Sequence, residues 1–174
     1  MKQQRIVEAA RSTLVREGLS GWTMERVARE AECAKGLVHY HFRTKAELLA
    51  VVAASLRRER AARRTDAFRA RGAAALDALW QVLVREVTTG EAAAWLSLAS
   101  LPERAVRDAL LASREELERL GAAAGAALDT AELSEPALRM LVAALDGLQL
   151  PLVLGEDPEP VREAYDRIWL TALS

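Results

Sequence analysis

Lys35, His39, Tyr40 and His41 stand within two turns of one short stretch, Ala34 to Phe42, in a chain with 5% aromatic residues and two histidines. An ammonium, two imidazoles and a phenol gathered there can donate to phosphate oxygens and to base edges. Their rings can also lie against sugars and thymine methyl groups. Val38 and Phe42, four residues apart, give the same stretch an apolar stripe that fixes it to a scaffold. Gly36, without a side chain, lets a helix here come close to a nucleic-acid backbone. His41 can serve either on that surface or half-buried beneath it. The competing chemistry is a metal site built from Cys33, His39 and His41. Histidines two apart on a helix point about 200° away from each other, whereas zinc ligands on one helix are spaced by three or four, so no metal is expected. The chain has no Ser-His-Asp set, no paired carboxylates in an apolar setting and no glycine-rich phosphate loop. No catalytic residue and no cofactor is expected.

The elements that must position these side chains are readable from caps and apolar spacing. A first helix is predicted over Gln3 to Glu17, with Ile6, Val7, Ala10 and Leu14 inward and Gly18 as a left-handed end. Thr23 is an N-cap for a second helix, Met24 to Ala31, with Trp22 and Val27 placed as a hydrophobic staple. Glu32-Cys33-Ala34 allows only a tight turn, so the third helix must cross the second steeply, which is helix-turn-helix geometry. Thr44-x-x-Glu47 is a capping box opening a fourth helix, predicted to run to about Arg71. Lys45 adds a cation to the unpaired N–H groups of that helix start, a combination suited to a phosphate.

Beyond Arg71 the spacing predicts helices throughout: Ala73 to Thr89, Glu91 to Leu101, one long helix from Pro102 to near Asp129, another opened by Ser134-Glu135-Pro136, and a last one from Pro158. The last helix carries Val161, Tyr165, Ile168, Trp169 and Leu173. The segment Met140 to Leu154 is apolar nearly all round, interrupted by Asp146, Gly147, Gln149 and Pro151. Such a helix needs partners on two sides. One is its own domain, and the other is read as the same surface of a second subunit. Gly121-x-x-x-Gly125 says little in an alanine-rich helix.

Net charge is −1, but residues 1–64 carry +7 and residues 65–174 carry −8. An anionic partner is therefore expected for the first part only. No uninterrupted apolar run of spanning length and no signal-peptide core is visible, and the single cysteine excludes an intrachain disulfide. A cytoplasmic setting is expected.

Thr23-Met24-Glu25-Arg26-Val27-Ala28, Ala34 to Phe42, and Thr44-Lys45-x-Glu47-Leu48-Leu49 together resemble the DNA-binding domain of the TetR family of bacterial transcriptional regulators. The resemblance covers roughly residues 3–52. Glu32 stands where that family often has glycine, Ala34 where it often has a hydroxyl residue, and Leu37 where it often has threonine. It implies an all-α protein, with a helix-turn-helix domain over residues 1–46 and a helical ligand-binding and dimerisation domain over 47–174. The expected function is a ligand-responsive regulator, a repressor, that binds a palindromic operator as a homodimer. A non-DNA-binding helical adaptor and an activator of the same fold are the alternatives. Thr23, Tyr40 and Lys45 are expected on phosphates; Lys35, Leu37 and His39 are expected in the major groove, with Gly36 and His41 beside them. Trp80 and Trp95 are the candidate walls of a pocket for an apolar or amphipathic small molecule, with filling of the core as their other reading. Leu141, Leu145, Leu148, Tyr165, Ile168 and Trp169 are expected at the subunit interface.

Overall fold

The computed structural model describes residues 2–131 and 133–172, the side chain of Ala172 excepted; Leu173 lies outside the described residues. Every regular element among the described residues is an α-helix: α1 (Lys2–Gly21), α2 (Met24–Glu30), α3 (Lys35–His41), α4 (Lys45–Ala67), α5 (Ala73–Thr88), α6 (Glu91–Ala99), α7 (Arg104–Leu110), α8 (Arg114–Leu128), α9 (Glu135–Val153) and α10 (Pro158–Ala172). They form two compact units. One comprises residues up to Arg58 with Ala93–Leu111, the other Glu59–Ala92 with Ala112 onward.

In the first unit, α1 presents Ile6, Ala9, Ala10 and Leu14 to a core shared with Val27 and Ala28 of α2 and Val38 of α3. Gly18, at φ 65°, breaks the helical path of α1 where the sequence predicts its end. Trp22 is buried, and its indole N–H donates to the Ala10 carbonyl at 2.7 Å, tying the α1–α2 connector to the core. Leu48, Leu49, Val52, Ala53 and Leu56 of α4 enter the same core, joined by Ala94, Leu98 and Val106. This packing unit therefore runs past residue 46, because the start of α4 completes the core beneath α3.

In the second unit, Phe68, Trp80, Tyr165 and Trp169 stack through edge and tilted contacts with ring centroids 5.4–6.2 Å apart. The Tyr165 hydroxyl donates to the Leu76 carbonyl at 2.7 Å, and burial pushes its pKa up. Gly121 of α8 is a close-approach position after all: a Cβ there would meet Leu138 Cδ1 of α9 at 2.8 Å.

Two predicted elements are corrected. The fourth helix ends at Ala67, not near Arg71, because Phe68 turns into the core and Gly72, at φ 57°, sends its N–H to the Ala127 carbonyl of α8 at 2.9 Å. The single helix predicted from Pro102 to Asp129 is two, α7 and α8. Ser113 caps α8 in a full capping box: its side chain accepts from the Glu116 N–H at 3.2 Å, and Glu116 accepts from the Ser113 N–H at 2.9 Å.

α9 is the one helix among the described residues long and apolar enough to cross a membrane. Its Leu138, Leu141, Leu145 and Gln149 are nonetheless buried in the protein. Of the six side chains expected at a subunit interface, Leu141, Leu145, Tyr165 and Trp169 are buried in the core of their own unit in the single chain. Leu148 and Ile168 are only half-buried. The apolar surface that α9 and α10 leave exposed is instead Met140 (69% exposed), Leu150, Leu154 and Leu170 (72%).

Candidate nucleic-acid interface

The turn that sets α3 against α2 is closed by backbone geometry. The Glu32 N–H donates to the Arg29 carbonyl at 3.1 Å and the Cys33 N–H to the Ala28 carbonyl at 2.9 Å, the paired bonds of a Schellman ending. That motif requires a left-handed residue, and Glu32 takes it at φ 50°. Its carboxylate accepts from Arg5 at 3.2 Å. α3 then starts without a side-chain cap, since Ala34 has no oxygen to offer. Val38 and Phe42 hold α3 to the core, both essentially fully buried.

With that stripe inward, the opposite face of α3 carries the candidate residues. Lys35, Gly36, His39 and Tyr40 are exposed, Tyr40 at 81%. A Cβ on Gly36 would meet nothing within 4 Å, so the protein's own packing does not require glycine there. Leu37 and His41 are half-buried. Leu37 packs against the first core, and the His41 ring lies 5.2 Å from Tyr40 and 6.5 Å from Phe42. Cys33 is also half-buried, and among the described residues no group of three His, Cys, Asp or Glu side chains could hold a metal ion.

Two helix starts flank α3. Thr23 caps α2, its hydroxyl oxygen accepting from the Arg26 N–H at 3.2 Å, which leaves the hydroxyl proton for an outside acceptor. At the start of α4 the Thr44 hydroxyl accepts from the Glu47 N–H at 3.1 Å. The Glu47 carboxylate reaches the Arg43 N–H at 2.8 Å, one residue earlier than in the usual box. Lys45 does not swing freely. Its Nζ donates to the Trp22 carbonyl at 3.3 Å and sits 5.3 Å from the Trp22 ring centroid. Lys35 donates to Glu25 at 2.5 Å, and that hydrogen bond, with the attraction of the charges, holds the Glu25 carboxyl below the usual carboxylate range.

The two tryptophans belong to different cores. Trp80 is buried in the second unit against Tyr165, with the Arg162 guanidinium 5.5 Å from its ring. Trp95 is half-buried against the first core. The sequence reading missed a buried polar layer in the second unit. Arg60 and Arg64 of α4, one turn apart, meet Glu86 of α5 and Asp146 and Gln149 of α9. Arg60 donates to Glu86 at 3.1 Å, Arg64 to Asp146 at 2.6 Å, and the Gln149 amide to Glu86 at 2.9 Å and to the Leu83 carbonyl at 3.1 Å. Burial pushes the Glu86 carboxyl up, but Arg64 and Arg60 outweigh it and hold it below its ordinary range. The available signal was the i,i+4 arginine pair and the polar pair interrupting an otherwise apolar α9.

Residues 6–52, which build this surface and its support, match the family model described as "Bacterial regulatory proteins, tetR family". The HTH-type transcriptional regulator SrpR of Pseudomonas putida is 42% identical over 53 residues, 30% of this chain and 25% of SrpR. A second Pseudomonas putida protein, the uncharacterized HTH-type transcriptional regulator TtgW, is 40% identical over 53 residues, 30% of this chain and 40% of TtgW. The matched stretch thus spans well under half of either curated relative. Similarity along the whole chain comes from a solved structure. The multidrug binding protein EbrR, in its imidazole complex, is 28% identical, with 97% of this chain and 94% of that chain covered and a TM-score of 0.67. The helix-turn-helix domain over residues 6–52 is that of the tetR family of bacterial regulatory proteins, and the helical architecture along the whole chain is similar to that of EbrR.

Proposed function

We propose that the protein is a ligand-responsive transcriptional repressor that binds a palindromic operator as a homodimer. The observation that carries this reading is the exposed face of α3, with Lys35, His39 and Tyr40 outward over a buried Val38–Phe42 stripe and Lys45 held at the next helix start. A surface of donors with no catalytic set beside it suits phosphate positioning and base-edge contact. Thr23, Tyr40 and Lys45 take phosphates. Lys35 and His39 read base edges, Gly36 permits close approach, and Leu37 offers what remains of its apolar surface to a thymine methyl. His41 supports the Tyr40 ring from behind.

The domain over residues 1–46 carries the DNA contacts, and residues 47–174 carry effector binding and dimerisation. α4 supplies side chains to both units, so an effector that repacks the second unit acts on the helix that also bears Lys45. Solved complexes of EbrR name imidazole, ethidium, proflavin and malachite green. They favour an apolar or amphipathic small-molecule effector here. The homodimer is supported by the exposed Met140 and Leu170 and by an apolar groove of about 400 Å³ between α9 and α10, flanked by Met140 and Ile168.

The test is selection of duplexes from a random library by the wild-type protein, followed by release with candidate compounds. An inverted repeat should be enriched, and an effective compound should lower its affinity and quench tryptophan emission together, since coupled binding is reciprocal. Trp80→Phe and Trp95→Phe proteins, assayed separately, show which ring reports the compound. Enrichment of no sequence would overturn the regulator reading.

A further inference from the structure

The candidate DNA face holds one carboxylate that the contacts proposed above leave unused. Glu25 is the second residue of α2, and its Oε1 accepts from the Nζ of Lys35, the first residue of α3, at 2.5 Å. Both side chains are exposed, Glu25 at 65% and Lys35 at 53%. Exposed ion pairs contribute little to folding stability, and the first turn of α2 favours a carboxylate only modestly, so the pairing with Lys35 is more than the fold requires. Other acidic groups nearby are engaged elsewhere: Glu32 with Arg5, Glu47 with the Arg43 N–H, and Glu30 with Arg16. Lys45, by contrast, is held by a carbonyl and a ring rather than by an opposite charge. One lysine of the face is therefore neutralised in the free protein and the other is not.

Against a polyanion that difference matters. A lysine paired to a carboxylate displaces no counterion when it meets a phosphate unless the pair first breaks, and the released carboxylate is then repelled by the same phosphate. Guanine presents two adjacent acceptors, O6 and N7, in the major groove, and a lysine there gains more than a single phosphate contact returns. We propose that Glu25 is a specificity-determining residue, an internal counter-ion that withholds Lys35 from phosphates on non-cognate DNA and yields it where guanine faces α3. The proposal rests on the DNA-binding reading. It adds that discrimination comes partly from a carboxylate that touches no base.

The experiment compares wild-type protein, Glu25→Gln, Lys35→Ala and the double variant on two probes. One is the duplex that the wild-type protein selects from a random library, and the other is an alternating dA-dT duplex, which has no guanine. Glu25→Gln should bind the dA-dT duplex about sixtyfold more tightly at 0.1 M salt, with a salt slope steeper by about 1.8, the effect of one added phosphate contact in each subunit of the dimer. Affinity for the selected duplex should rise less, because there the wild-type pair already breaks and only the small cost of breaking an exposed pair is recovered, so the specificity ratio falls. In the Lys35→Ala background the same substitution should have no such effect. Equal gains on both probes, no gain, or a gain that persists without Lys35 would each overturn the proposal. A wild-type protein that enriches no sequence would overturn the DNA reading and this role with it. In that case a carboxylate titration of the free protein by NMR still reports the pair, because the Glu25 pKa should rise in Lys35→Ala.

Discussion

Lys45 and Glu32 show how single side chains set the surface. Lys45 is held against Trp22, which would place its cation for the phosphate contact proposed above. Lys45→Ala should weaken binding to every duplex alike and lower the salt slope by about 1.8, one phosphate contact in each subunit, readable by titration at several salt concentrations. A loss confined to particular operator positions would make Lys45 a base reader instead. Glu32 occupies a left-handed conformation that costs a residue with a Cβ about 1 kcal/mol or more. Its contact with Arg5 lies in solvent and returns little. Glu32→Gly should therefore raise stability by about 1 kcal/mol in urea unfolding, with the α2–α3 turn unchanged. Much of this residue-scale picture was legible in the sequence, because Val38 and Phe42 at i,i+4 leave only one face of α3 outward. The half-burial of Leu37 and His41 was not, since it depends on how closely α3 lies on the core that the start of α4 completes.

Among the elements, α4 carries the largest departure from an apolar interior. Arg60 and Arg64 place two buried guanidinium groups against Glu86 and Asp146. Glu86→Gln keeps the shape but leaves two buried cations with one carboxylate, and should cost about 3–5 kcal/mol in urea unfolding. The pH dependence has a definite sign. Because the folded Glu86 carboxyl is held below its unfolded value, its contribution is complete above the unfolded pKa, about 4.3. It is lost as pH falls through the lower folded value. Wild-type stability should drop below about pH 4, and the Glu86→Gln protein should show a flatter profile. A parallel profile would place the acid-sensitive group elsewhere. Helix starts at Thr23, Thr44 and Ser134 were legible because each has a side-chain oxygen followed by apolar spacing. The break between α7 and α8 was hidden because Leu110, Leu117 and Leu120 keep helical spacing across it. Ser113 and Glu116, the capping box at that point, were the overlooked sign. Ser113→Ala should lower stability by about 1 kcal/mol.

At the scale of the whole molecule, charge and apolar surface divide the work: +7 over residues 1–64 and −8 over the rest, with large exposed apolar side chains on α9 and α10. Burial of Leu145 in its own core changes how the proposed dimer must be tested. A charge at Leu145 would unfold the second unit, whereas Met140→Glu or Ile168→Glu should leave it folded and yield a monomer by light scattering. A folded dimer in both variants would move the interface off α9 and α10. The central claim, that the basic first part of the chain docks on DNA through phosphates and reads it through α3, has one direct measurement. Wild-type protein is titrated against the duplex it selects, between about 50 and 200 mM salt. Several cations per subunit displacing condensed counterions should give a steep linear fall of log affinity with log salt, by orders of magnitude over that range. An affinity independent of salt, or no selected duplex at all, would contradict it.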